Sequence, residues 1–504
     1  MSDSPAIVEV HLLACVHGMW GQPSHVTRMA EIMRETHAKA EDGVELDVLV
    51  AETNRQAHTY DGVDWGAERV VQEVKDRIAV IETPGANPRK KVTRFSIFGY
   101  SLGGLLSRYA VGILYSTGFF DDGKVKPVNF ATIATPNLGL LKYGTFLSSV
   151  QHTFGPIFLS RTGKHFYAKD ADEWGAGEGK PLLEVMSEKG SVFYDALAKF
   201  QSVTFVANAI NDITVPFITA SAEAYDPFVA YTRNGVEINL DEKYAPVIKS
   251  FQLPSGPAPT APARPRKFSR AWWRAKWNAP SKLPPPLQFA FPFNIVAWAL
   301  LPILFPLFVA TAMTNLGYNT FHSRRRIKLL ESSGQGNRSA IVSFMQRVER
   351  RVEDTVLDMS NDGMNDEYMG PDAGPSNMTT ASPSRAGTPL PPLPGTSTPL
   401  KEKTRPPRRM SITYTPLADP NSRYQDSYPS TDTTKEKQNQ PLLTETQRRI
   451  IANLNTLPNL KKVYVFIDGV PNSHATIVCR DPKGFSFHRR GEGVLRYLAD
   501  GFEM

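Results

Sequence analysis

Val92-Thr93-Arg94-Phe95-Ser96-Ile97-Phe98 runs straight into Gly99-Tyr100-Ser101-Leu102-Gly103-Gly104, and a helix reads from Leu105 onward. This succession of apolar strand, glycine-flanked serine and helix decides the fold. The pattern G-x-S-x-G puts a serine on a sharp strand-to-helix turn, where the glycines two residues before and after keep side chains from colliding. The hydroxyl is then carried above the sheet at a helix N-terminus, which favours developing negative charge. The pentapeptide alone recurs by chance. Its strand-turn-helix context makes Ser101 a candidate nucleophile.

The same alternation continues outward. Val8–Val16 and Val44–Val50 read as buried strands, and Val70, Val74, Ile78 and Ile81 put one apolar face on a helix over Trp65–Val80. Phe130–Ala134, Val203–Ala207 and Lys462–Ile467 are further strands, and Gly491–Leu498 reads as a closing helix. Strands alternating with helices predict a mostly parallel sheet with helices on both faces.

In such a sheet the partners of the serine should follow in the order acid, then histidine, at the ends of later strands. Asp212 follows the strand Val203–Ala207, and His474 follows Lys462–Ile467. Both sit where α/β sheets place their sites. His488 lies in the basic run Phe487-His488-Arg489-Arg490 and reads as solvated surface. Asp468 is a spare acid, too close to His474 in sequence. Two backbone N–H groups are needed for an oxyanion: Leu102 supplies one, and Met19, in the loop His17-Gly18-Met19-Trp20-Gly21, is read as the other. His17 reads as a structural hydrogen-bonding residue. This chemistry requires no cofactor and no metal.

Several short motifs recur in order: Val16-His17-Gly18-Met19-Trp20-Gly21, Thr59-Tyr60-Asp61-Gly62, Gly99–Gly104, Ala134-Thr135-Pro136-Asn137-Leu138-Gly139, Asn211-Asp212 with Val215-Pro216-Phe217, and Ser473-His474-Ala475. Together they resemble the serine esterases of eukaryotes, whose fungal members include lipid-droplet phospholipases and monoacylglycerol lipases. The resemblance covers roughly residues 8–225 and 446–500. It implies an α/β-hydrolase fold, a glycerolipid or phospholipid ester as substrate, and Ser101, Asp212 and His474 as a catalytic triad. An acyltransferase, a thioesterase of lipidated proteins, or a catalytically silent membrane scaffold would use the same residues or the same fold.

The remaining chain departs from a compact hydrolase. Residues 1–225 read as the first part of the core, with 138–190, which show no clear strand, as a lid or cap. Residues 226–288 read as a basic, Trp-rich linker. From Lys243 to Leu330 there are thirteen Lys/Arg and no Asp or Glu, which leaves the rest of the chain net negative despite an overall charge of +7. A local basic block beside an apolar segment points to an anionic membrane surface and not to nucleic acid. Phe289–Met313 is 25 residues without a charge, and Trp272, Trp273 and Trp277 precede it as candidate interfacial anchors. Ser101 and Asp212 precede this segment and His474 follows it, so a single crossing would separate them. A hairpin broken near Pro302 is expected instead, with arms of about 12 residues reaching roughly 18 Å, about one leaflet. Residues 320–360 read as an amphipathic helix. Residues 361–440 are Pro/Ser/Thr-rich, with twelve prolines between Pro371 and Pro420, and are expected to be disordered. Residues 441–504 complete the core. Two cysteines, Cys15 and Cys479, and the lack of a basic-then-apolar leader point to the cytoplasmic face of an intracellular membrane or lipid droplet.

Overall fold

The computed structural model describes residues 7–85, 89–121, 123–172, 179–229, 231, 235–253, 268–270, 272, 293–332, 440–470 and 472–504. All of them fall within one compact unit. Trp273, Trp277, the apolar helix positions Ile341–Val356 and the stretch 361–439 lie outside the described residues.

Six parallel strands form the central sheet. In chain order they are β1 (Val8–Val16), β2 (Val44–Val50), β3 (Lys90–Tyr100), β4 (Lys126–Ile133), β5 (Ser202–Asn208) and, after a two-stranded excursion, β8 (Leu460–Val465). Their spatial order is β2-β1-β3-β4-β5-β8, and every neighbouring pair is parallel. Sequential side chains alternate between the two faces, as the pleat requires. In β1, Leu12, Ala14 and Val16 join one apolar core, while Leu13 and Cys15 join the other. The first core lies beneath helices α2 (Val63–Ile81) and α3 (Leu102–Ser116). The second lies beneath α1 (Ser24–Thr36) and the closing helix Glu492–Asp500. The near-continuous apolar runs of β1 and β3 reflect burial on both faces.

Between β5 and β8 lies the long insertion. Its first part is not a plain linker. β6 (Glu237–Leu240) and β7 (Ile248–Gln252) pair antiparallel and lean on the sheet beside β8, where Val247 bridges Val465 and Phe251 packs 5.0 Å from Phe228. Lys243 and Lys249 masked this hairpin in the charge pattern. Both face solvent, while Val247 and Ile248 turn inward.

The expected break near Pro302 is also corrected. Residues Phe293–Ser332 form one 40-residue helix with Pro302 and Pro306 inside it. Each proline removes one donor from the hydrogen-bond ladder. Four residues apart, they fall on the same helix face, so their kinks do not reverse the chain. Nor does Ile295–Met313 contain a Gly, Asn, Asp or Ser that could build a reversal. Residues 320–332, expected to open a separate amphipathic helix, are the end of this same element. It is called the insertion helix below.

The segment 138–190 contains helices α4 (Phe146–Phe158) and α5 (Ser160–Phe166). α5 is buried and bonded to the start of α2: Val63 N donates to His165 Nδ1 at 3.0 Å and Gly62 N to Thr162 Oγ1 at 2.9 Å. These two bonds seat α5 against the start of α2.

His11, inside β1, shares a 2.7 Å hydrogen bond with Ser96 Oγ, and burial pushes its imidazole down to about 3. Once unfolded it takes up a proton near the ordinary value of about 6.5. Between those values the unfolded chain binds more protons, so stability falls as pH drops through that window. The urea midpoint should be lower at pH 5 than at pH 7.5, with a smaller difference in His11→Gln. An equal difference in both proteins would contradict this.

Candidate active site

Ser101 closes β3 and caps α3. Its backbone sits at φ 57°, ψ −126°, a conformation that costs an L-residue about 1–3 kcal/mol. Ser101 N–H donates to Ile133 O of β4 (2.9 Å), and Gly104 N–H donates to Ser101 O (3.1 Å), which hold it there. A side chain at Gly103 would run into the carbonyl oxygens of Val16 and His17, and a Cβ on Gly18 would come within 2.6 Å of Ser101 Cβ. The end of β1 and the serine turn are therefore packed backbone to backbone.

Asp212 lies in the loop after β5, and both of its carboxylate oxygens are occupied. Oδ1 accepts Thr214 N–H (3.0 Å) and Val215 N–H (2.8 Å), while Oδ2 accepts Asn208 Nδ2 (2.9 Å) and His474 Nδ1 (2.9 Å). An ionised carboxylate only accepts, so the His474 proton resides on Nδ1. Nε2 is left as an acceptor, 3.0 Å from Ser101 Oγ. All three side chains are buried.

The His474 loop is sewn to the Asp212 loop. Ser473 N–H donates to Asn211 O (3.0 Å), Ser473 Oγ to Ile210 O (2.8 Å), and Asn211 Nδ2 to Ile467 O (3.0 Å). Tyr100 OH donates to the main-chain oxygen of His474 at 3.0 Å, and burial pushes its phenol up, which keeps it a donor. The imidazole is thus fixed at both its ring and its backbone. A nucleophile bonded to a base that is oriented by a carboxylate is the arrangement needed for acyl transfer.

Leu102 opens α3, where the first N–H groups have no intrahelical acceptor. In the loop after β1, Trp20 N–H donates to Thr59 Oγ1 (3.2 Å) and Gly21 N–H to Gly18 O (3.1 Å). Gly18 and Met19 remain as sources of a second donor toward Ser101. His17 is buried, with Nδ1 3.1 Å from Gly18 O, and burial lowers its affinity for a proton.

His488 is buried and not surface-solvated: Asp481 N–H donates to its Nδ1 at 3.0 Å. The surrounding arginines point outward and hid this in the sequence. Asp468 faces solvent, 4.0 Å from Arg490. Asn208 and Tyr100 were not singled out from the sequence. A polar residue at the buried end of β5, four positions before the acid, was the available signal for Asn208.

Residues 7–224 match the family described as "Putative serine esterase (DUF676)". That segment is similar to this family over its whole length. It carries Ser101 and Asp212, while His474 lies beyond it and joins the site by geometry. Two curated relatives are each 30% identical over 217 residues, or 42% of this chain: "Putative lipase C4A8.10" of Schizosaccharomyces pombe and "Putative lipase ROG1" of Saccharomyces cerevisiae. The match spans only 26% and 28% of their lengths. A solved structure, of the gene lin2722 products from Listeria innocua, aligns with 14% identity over 41% of this chain and 76% of its own, at a TM-score of 0.23. That likeness is too low to bear on the fold.

Asn208→Ala should lower kcat on a soluble ester by about ten- to a hundredfold, the worth of one hydrogen bond to a charged group, with KM little changed. Steady-state kinetics check this. An unaltered kcat would remove Asn208 from the positioning of Asp212.

Proposed function

We propose that the protein is a serine lipase or esterase that hydrolyses acyl esters of glycerolipids or phospholipids at a membrane surface. The observation that carries this is His474 hydrogen-bonded between Asp212 and Ser101. Ser101 Oγ attacks the ester carbonyl as its proton passes to His474 Nε2, and Asp212 stabilises the imidazolium. The Leu102 and Met19 N–H groups donate hydrogen bonds to the oxyanion. The tetrahedral intermediate collapses, and the alcohol leaves with the proton from Nε2. Water, deprotonated by His474, then attacks the acyl carbon and releases the fatty acid, and the serine regains its proton.

The insertion helix supports the membrane surface. Leu300, Ile303, Leu304, Leu307, Phe308 and Val309 are all exposed, and the remaining side carries the exposed Pro302, Pro306 and Ala310. A helix that is apolar all round belongs in a nonpolar medium. Among the described residues no helix is long and apolar enough to cross a membrane. Ser101 and Asp212 precede this helix and His474 follows it, yet the three meet, so the reading is insertion from one side. Arg324, Arg325 and Lys328 are exposed near its end and suit anionic headgroups. Cys15 and Cys479 are buried and unpaired, consistent with a reducing compartment and the cytoplasmic face of an intracellular membrane or lipid droplet.

A fluorophosphonate probe should label wild-type protein at Ser101, and Ser101→Ala should lose labelling and more than about a thousandfold of its rate. A panel of a phospholipid, a monoacylglycerol and an acylated peptide should show turnover of a glycerolipid. Turnover of the peptide alone would make it a thioesterase, and no label on Ser101 would leave a silent scaffold.

A further inference from the structure

The insertion helix does more than project. From Ala312 onward its half-buried and buried positions, 312, 316, 319, 320, 322, 323, 326, 327 and 330, recur at helical spacing, so one stripe faces the domain. That stripe is firmly held. Arg326 Nη2 pairs with the buried Asp61 at 2.8 Å and donates to Ala57 O at 2.8 Å. Thr320 Oγ1 donates to Phe158 O at 2.6 Å, and Ser160 and Ser323 hydroxyls meet at 3.1 Å.

One turn nearer the apolar end, the helix stands off from the domain and leaves a cavity of about 560 Å³. This lies within the usual range of small-molecule sites, about 300–1,000 Å³. Ala312, Asn315, Leu316 and Asn319 form one wall, and Trp20, Tyr60 and Gln56 contribute to the other. Trp20 is 56% exposed, yet it is fixed: its Nε1 donates to Tyr60 OH at 2.8 Å and its N–H to Thr59 Oγ1 at 3.2 Å. It follows Gly18, which packs on Ser101, by two residues. The same helix that carries Leu307, Phe308 and Val309 outside therefore lines a preformed cavity on the loop beside the nucleophile.

The geometry points to this cavity as the binding subsite for the acyl chain of the substrate ester, with the insertion helix as its outer wall. A chain drawn from a membrane would pass along the exposed apolar turns into the space between Leu316 and Trp20, with its carbonyl end toward Ser101. This rests on the ester-hydrolase reading above. It adds that chain-length selectivity comes from the space that the insertion helix encloses against Trp20 and Tyr60. Each methylene seated there should raise kcat/KM by about fourfold until the cavity is full.

The test fills the cavity. Ala312→Trp and Leu316→Trp are compared with wild type and with Leu329→Trp, a change at an exposed position of the same helix. Each full-length protein is assayed on p-nitrophenyl butyrate and on p-nitrophenyl palmitate in mixed micelles. In either cavity variant, kcat/KM for the palmitate should fall at least tenfold while the butyrate rate stays within twofold and Ser101 still takes the fluorophosphonate label. Leu329→Trp should match wild type on both. An unchanged palmitate rate, or equal losses on both esters with labelling intact, would overturn the subsite. Absence of label and of butyrate turnover in wild type would overturn the esterase reading itself.

Discussion

Everything in this site depends on one imidazole being shared. His474 reaches Asp212 across 262 residues of chain and Ser101 across 373, so the contact exists only if the long insertion closes. Closing a loop of that length is not prohibitive, because the entropic cost grows only logarithmically with length. β5 and β8 supply the closure by pairing in parallel from Val203 with Leu460 to Asn208 with Val465. That register sets the two following loops side by side. Asn211, Ile210 and Ser473 then bond across them, and Asp212 and His474 meet. A slip of one residue would turn the β8 side chains to the opposite face and carry His474 away.

The strain at Ser101 is the second half of the same construction. A serine at φ 57° would relax if it could. Its hydrogen bonds to Ile133 and Gly104 hold it there, and the turn packs so closely on the end of β1 that a Cβ at Gly103 would meet the carbonyl oxygens of Val16 and His17. The fold thus stores a small local cost in order to aim one hydroxyl at Nε2. The tightness has a further effect. The loop after β1 is brought onto the serine turn, and with it comes Trp20, which links the site to the insertion helix.

Much of this was legible in the sequence because it is local. The alternation in β1, the strand before Gly99 and the chain order of Ser101, Asp212 and His474 are properties of short segments, and the structure brings those three side chains together beyond the ends of β3, β5 and β8. What escaped depends on distant neighbours. Asn208 matters because of where Asp212 turns, and Tyr100 because of a carbonyl 374 residues away. The hairpin expected near Pro302 failed for a different reason. Proline was read as a stop, but two prolines on one face bend a helix without ending it when no turn residue stands between them. The inward stripe from Ala312 to Ile327 has readable helical spacing, but nothing in the sequence shows that part of it faces a cavity.

The central claim is that the shared imidazole makes Ser101 a nucleophile that carries the acyl group in turnover. Rapid quench of the full-length protein during hydrolysis of an acyl ester, followed by peptide mass spectrometry, addresses it directly. The account predicts a transient increment of one acyl group on the peptide containing Ser101, which decays as the fatty acid appears. Ester cleavage with no acylated peptide at any quench time, or with acyl groups on another residue, would contradict it.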